Sequence, residues 1–103
     1  MIKHIVMWNV SASSAEERLL NIELVREAFE SLRGNIPGML RLEIGVDTSR
    51  APYACDVVLY SEFESREALA AYAEHPDHAA VRTRLEGVRT VRHQVDYEVA
   101  PER

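Results

Sequence analysis

The first ten residues set a problem that the rest of the chain must solve. From Ile2 to Val10 the side chains alternate, with Ile2, His4, Val6, Trp8 and Val10 on one side and Lys3, Ile5, Met7 and Asn9 on the other. A period of two in β-branched and aromatic residues marks a strand. Both sides of this strand carry apolar groups, so a sheet built around it needs cover on each face.

Three later segments keep the same rhythm. From Met39, the residues Leu40, Leu42, Ile44 and Val46 alternate with Arg41 and Glu43. From Ala54 to Phe63, Cys55, Val57, Leu59, Ser61 and Phe63 alternate with Asp56, Val58, Tyr60 and Glu62. From about residue 91 to 99, Val91, His93, Val95, Tyr97 and Val99 oppose Arg92, Gln94, Asp96 and Glu98. A helix separates the first two strands. Ser14 and Glu17 form its capping box, while Ile22, Val25, Phe29 and Leu32 make one apolar stripe. Gly34 supplies a left-handed stop, and Ile36-Pro37-Gly38 is a turn. Residues 47–52 read as a loop. Past the third strand, Ser65 caps a short helix whose inward side is Ala68, Leu69 and Tyr72. The segment His75-Pro76-Asp77-His78 interrupts it, with His75 at the end of the preceding helix. Pro76 suits the first turn of a new helix, striped by His78, Val81, Leu85 and Val88.

The order predicts one α+β domain over residues 2–99, ferredoxin-like βαββαβ, with a four-stranded antiparallel sheet and helices on one face. With His4, Val6, Trp8, Val57 and Leu59 beneath the helices, Ile5, Met7, Val58 and Tyr60 lie in the centre of the other face. A contiguous apolar patch there calls for a cover. The chain has no further element to offer, and a second copy in twofold symmetry is the economical answer. The expectation is a homodimer closing an α+β barrel, with these residues at its interface.

Composition narrows the partners. Lys and Arg number 12 against 17 Asp and Glu, and the charges are interspersed. No basic stripe exists to displace counterions from phosphates, so no nucleic acid is expected. No stretch approaches the ~20 apolar residues of a membrane span. The single cysteine, Cys55, excludes an internal disulfide and a thiolate-rich metal site, and a cytoplasmic setting is the default expectation. Nothing near Cys55 in the sequence lowers its pKa, and it reads as a packing residue.

Several short motifs recur in one order. They are Lys3-His4-Ile5-Val6, Ile36-Pro37-Gly38, Glu62-Phe63-Glu64-Ser65 leading to Ala68-Leu69, Tyr72 with His75-Pro76-Asp77-His78, and Val95-Asp96-Tyr97-Glu98. Together they resemble the stress-responsive A/B-barrel (Dabb) domain over about residues 2–99. The resemblance implies a ferredoxin-like protomer and a dimeric α+β barrel. Some plant members of that family cyclise linear polyketides by aldol-type chemistry, using a first-strand histidine and one from the His-Pro-x-His motif. Those positions correspond to His4 and His78, and Tyr72 matches a pocket tyrosine. Two positions differ: Val57 stands where the cyclases carry a further histidine, and Phe29 where they have a tyrosine.

Read from the residues, His78 leads an apolar helical stripe and faces the sheet. It also sits in a first turn, where the helix dipole disfavours an imidazolium. A neutral imidazole suits a general base; the alternative is a histidine that fixes the helix break through a backbone hydrogen bond. His4 shares the strand face of Val6 and Trp8, and Tyr72 could orient a substrate oxygen. A neutral histidine with a hydroxyl donor is the minimum for enolising a carbonyl compound. His4, Tyr72 and His78 are therefore the candidate catalytic residues, with Val6, Trp8, Phe29, Val57 and Leu59 lining an apolar pocket. His75 and His78 lack a convincing third ligand, so neither metal nor cofactor is expected. His93 reads as a packing or interface residue. Three functions compete: a dimer binding a small apolar or carbonyl-containing ligand, with or without acid–base turnover; a non-catalytic stress or scaffold dimer with a filled cleft; and, as a resemblance to the related antibiotic-biosynthesis monooxygenase-like barrels would imply, cofactor-free oxidation or haem binding, against which the His-Pro-x-His motif argues.

Overall fold

A computed structural model describes residues 1–100. Its elements run β1 (Ile2–Val10), α1 (Ala15–Glu30), β2 (Met39–Val46), β3 (Val57–Phe63), α2 (Arg66–Ala73), α3 (Pro76–Arg84) and β4 (Arg89–Glu98). The strands form one antiparallel sheet in the order β2-β3-β1-β4. This is the ferredoxin-like α+β arrangement expected from the alternation, with the second helix broken into two. Among the described residues no helix is long and apolar enough to cross a membrane.

Local chemistry accounts for the helix boundaries. Ser14 and Ser65 sit in extended conformation, and their side chains accept from the backbone N–H groups of Glu17 and Ala68. Gly34 takes a φ of +80° beyond α1. Gly38 is needed twice over: its φ is +79°, and a Cβ there would meet the Ala68 Cβ at 2.6 Å. The turn before β2 and the packing of α2 therefore share one hydrogen-sized gap. At the break after α2, His75 serves both helices: its N–H donates to the Tyr72 carbonyl at 3.1 Å at the end of α2, as expected, and its Nδ1 accepts from the Asp77 N–H at 3.0 Å and caps α3.

The strand limits also shift. β3 begins at Val57 instead of Ala54, since Asp56 turns its N–H to the Trp8 carbonyl and its side chain to other partners. β4 begins at Arg89, two residues before the expected start, pairing with Val10 across a bulge. A second bulge lies between Met39 and Arg41, and Leu40, which the alternation groups with Leu42, is exposed there while Leu42 is buried.

The apolar stripes meet as expected. Ile22, Val25, Phe29 and Leu32 of the α1 region pack on Val6, Trp8, Val57, Leu59 and Phe63, joined by Tyr72, Val81 and Leu85. At roughly 1.5–3 kcal/mol per fully buried large apolar side chain, this cluster is the principal stabilising term. Helices do not extend over β4. Its helix-side residues Arg92, Gln94 and Asp96, opposite Trp8, Val6 and His4, are exposed, and an open cleft is left between β4 and the α2–α3 segment.

Asp56 holds one end of this assembly. Its carboxylate, 8% exposed, accepts from Val10 N–H at 3.0 Å, Arg18 Nε at 2.9 Å and Arg50 at 3.0 Å. Strand end, first helix and long loop are thereby tied to one side chain. Burial alone would raise its pKa; the N–H and two guanidinium groups outweigh that and hold it below the ordinary value.

Candidate functional site

The cleft has a volume of about 470 Å³, enough for a bicyclic organic molecule. Its floor is the helix side of the central strands, where His4, Val6 and Trp8 come from β1 and Leu59 from β3. Tyr72 and Ala73 from α2, His78 and Arg82 from α3, and Phe29 from α1 form the walls. The first four residues of β4 close the open side.

Period-two alternation puts His4 between Ile2 and Val6 on the buried face, and its edge approaches the Phe63 and Tyr72 rings at 6.2 Å between centroids. Its Nδ1 lies 2.5 Å from the Asp96 carboxylate on the adjacent strand. With Asp96 ionised, Nδ1–H donates and Nε2 is left free, a pairing that fixes both tautomer and ring plane. Tyr72 and His78 stand closer, with centroids 4.5 Å apart, because they flank the Pro76 break and point inward from successive helices.

Two polar atoms of this group are buried with no hydrogen-bond partner in the protein: the Tyr72 hydroxyl and the His78 Nδ1. Such groups cost roughly 1–3 kcal/mol each and are rare away from functional sites. Tyr72 is 3% exposed, and burial pushes its phenol pKa up to about 12. Burial first, then the Arg82 charge, push the His78 imidazole below its ordinary value, against an opposing pull from the Ala73 carbonyl. The lowered pKa favours the neutral imidazole, the form that accepts a proton.

Of the residues singled out by sequence, the structure brings His4, Val6, Trp8, Phe29, Leu59, Tyr72 and His78 onto one cleft. Val57 is not among its lining residues: it lies one register step beyond Leu59, opposite Trp8, and is sealed in the core at 1% exposure. Trp8 and Phe29 stack at 5.1 Å and form an aromatic wall. Asp96 and the arginines at positions 82, 89 and 92 were not singled out. Asp96 falls on the polar side of an alternating strand, and only the register against β1 reveals that this side meets His4. Among the described residues, no three His, Cys, Asp or Glu side chains converge to hold a metal.

The family model described as Stress responsive A/B Barrel Domain matches residues 2–99. The chain belongs to that family. Solved structures agree with the assignment. A dimeric ferredoxin-like protein of unknown function from Bacteroides fragilis is 32% identical, with 95% of each chain covered and a TM-score of 0.81. Another from Thermobifida fusca is 22% identical over 95% of this chain and 90% of that one, with a TM-score of 0.79. A Dabb family protein from Mesorhizobium loti is 23% identical over 97% of both chains, with a TM-score of 0.69. Further structures, two of them provisionally, are described as antibiotic biosynthesis monooxygenases at identities of 24% and below, which shows shared fold alone. No functionally curated protein matches the chain.

In this A/B-barrel protein the sheet face opposite the cleft has no helix over it. Ile5, Met7, Val58 and Tyr60 are half-buried at its centre. β4 extends the patch, since Val95 pairs with Ile5, His93 with Met7 and Tyr97 with Lys3. Val95 is 51% exposed and Tyr97 43%. A short polar string crosses one edge, where the Tyr60 hydroxyl donates to Glu62 at 2.5 Å and Lys3 lies over the Tyr60 ring.

Proposed function

We propose that this Dabb protein works as a homodimer, sheet against sheet, and that each copy binds a small apolar or carbonyl-containing molecule in its own cleft. A cytoplasmic setting is part of the proposal, in keeping with a lone unpaired thiol. The observation that carries the binding reading is a pair of buried, unpartnered polar atoms, Tyr72 hydroxyl and His78 Nδ1, on two residues that line one open cleft. A ligand carbonyl accepting from Tyr72, with its body on the Trp8–Phe29 wall, would satisfy one of the two.

The dimer reading is supported by the apolar centre of the uncovered sheet face and by relatives described as dimeric. Met7→Lys places a charge at that centre and should shift the protein toward monomer or aggregate in size-exclusion chromatography with light scattering. A dimer unaffected by Met7→Lys would mean that another surface pairs. For the cleft, acetonaphthone is a suitable neutral probe. His78→Ala should abolish its binding by calorimetry while the protein remains folded, and an unchanged affinity would remove His78 from the pocket role.

A second reading, acid–base turnover, is favoured by the short His4–Asp96 contact. An imidazole oriented by a carboxylate, with a phenol nearby, is equipped to take a proton from carbon next to a carbonyl while the phenol hydrogen-bonds the enolate oxygen. In D₂O such a site would exchange the methyl protons of bound acetonaphthone, and His4→Gln or Asp96→Asn would suppress the exchange. Wild-type protein that binds the ketone without catalysing exchange would leave a binding protein only.

A further inference from the structure

The protein carries more acids than bases overall, with a formal net charge of −5. The cleft reverses that balance. Its lining contains Arg82, Arg89 and Arg92 and no aspartate or glutamate. None of the three forms an ion pair among the described residues, although Arg18, Arg26, Arg33, Arg50 and Arg84 all do. Arg92 reaches only the Gln94 amide.

Arg89 is the central member. It is half-buried at the start of β4, with its guanidinium 4.9 Å from the Trp8 ring and 5.7 Å from the Phe29 ring. Burial, then the Arg92 charge, lower its pKa, and Arg82 adds a further push in the same direction. These like charges are close enough to repel, and burying one without a counter-ion is costly. Cation–π contact of about 1–2 kcal/mol offsets part of that cost and aligns the guanidinium. Its donors remain free for a planar, two-point hydrogen bond to an oxyanion.

We propose that the cleft selects an organic anion: an apolar, ring-sized body against Trp8, Phe29 and Leu59, with a carboxylate or phosphate at the β4 side held by Arg89 and flanked by Arg82 and Arg92. The assignment rests on the small-molecule reading of the same cleft and names its ligand class. Tyr72 and His78 then meet the middle of the ligand, and the acid group sets its direction.

Three probes of one shape separate the possibilities: neutral acetonaphthone, naphthoate and naphthyl phosphate, titrated by calorimetry into wild-type protein. Both anions should bind at least ten-fold tighter than the ketone, and the tighter of them identifies the acid group. The preference should shrink between about 0.01 and 1 M salt, as the screening length falls from roughly 30 to 3 Å. Arg89→Met keeps an unbranched side chain beside Trp8 and should bring the anion-to-ketone affinity ratio toward one. The double variant Arg82→Gln/Arg92→Gln tests the flanking charges without touching the Trp8 stack, and should lower the ratio several-fold. An amide NMR spectrum confirms that each variant is folded. Equal binding of ketone and anions by wild type, or an unchanged ratio in folded Arg89→Met, overturns the anion assignment and leaves the cleft reading standing. Failure of all three probes overturns both.

Discussion

Replacing Tyr72 by phenylalanine should make the protein more stable and bind less well. The hydroxyl is 3% exposed and finds no partner in the protein. Folding strips its water without returning a hydrogen bond, at a cost of roughly 1–3 kcal/mol. The ring itself is well placed, 5.2 Å from Phe63 and 4.5 Å from His78 between centroids, and Tyr72→Phe keeps those contacts while deleting only the unsatisfied oxygen. The expected gain is about 1–2 kcal/mol, or roughly 4–15 °C in Tm for a domain of about 100 residues. Urea unfolding of both proteins at one concentration measures it, the concentration being matched because self-association would otherwise enter the comparison. An unchanged m value confines the change to stability. Acetonaphthone affinity should fall about ten-fold in the same variant, equivalent to roughly 1.4 kcal/mol. If Tyr72→Phe unfolds at lower urea, the hydroxyl has a satisfied structural role, and the argument from unpaired atoms collapses.

Three further outcomes follow from particular contacts. Asp56→Ala strands Arg18 and the Val10 N–H and should cost about 3 kcal/mol in urea unfolding. Because the folded carboxyl titrates below the unfolded value of about 3.9, Asp56 contributes fully above that pH and its contribution is lost as pH falls through the folded pKa. The gap between wild type and Asp56→Ala should therefore close in acid, and a gap independent of pH would exclude the ion pairs as its source. Gly38→Ala forces a left-handed alanine against Ala68 and should lose at least 1–2 kcal/mol by the backbone penalty alone, where a neutral result would mean that the turn relaxes freely. His78 should titrate below about 6.5 by NMR. Its depressed folded pKa means that its contribution is present above the unfolded value and lost as pH falls through the folded one, a slope that His78→Gln should remove.

The fold was largely legible because its determinants are periodic and local. Ile22, Val25, Phe29 and Leu32 fall on one helical face in the sequence and lie in the core. Ser14 and Ser65 announce two helix starts through a chemistry confined to four residues. The site was half legible. His4, Tyr72 and His78 each occupy an inward phase of their own element, so topology alone brings them together. What escaped reading depends on pairings between distant segments. Asp56 resembles an ordinary outward residue until Arg18 and Arg50 close on it. Arg92 and Asp96 look like the wet side of a strand, and in part they are, while Arg89 falls before the strand expected from about residue 91 and comes opposite Val10 only through the bulge. Helices leave the inward residues Arg92, Gln94 and Asp96 of β4 exposed, so this side is a rim in contact with water, and hydropathy cannot separate a functional rim from plain surface. The break at Pro76 was visible, but the placement of His75 at the earlier helix end left out its second role, a two-residue capping bond to α3.

The position of β4 also governs when the site comes into being. β1 is synthesised first yet lies between β3 and β4, and the pairing of His4 with Asp96 spans 92 positions of sequence. A nascent chain can form α1 and the β2–β3 pair while still on the ribosome. Its central strand keeps one hydrogen-bonding edge unfilled until β4, the last of the four strands in chain order, has been made. Closure of so long a loop makes this step slow, and premature termination yields a species with the histidines but without the carboxylate or the arginine rim. In such a copy the unpaired edge of β1, open to pairing with another chain, lies at the same place where the site is incomplete.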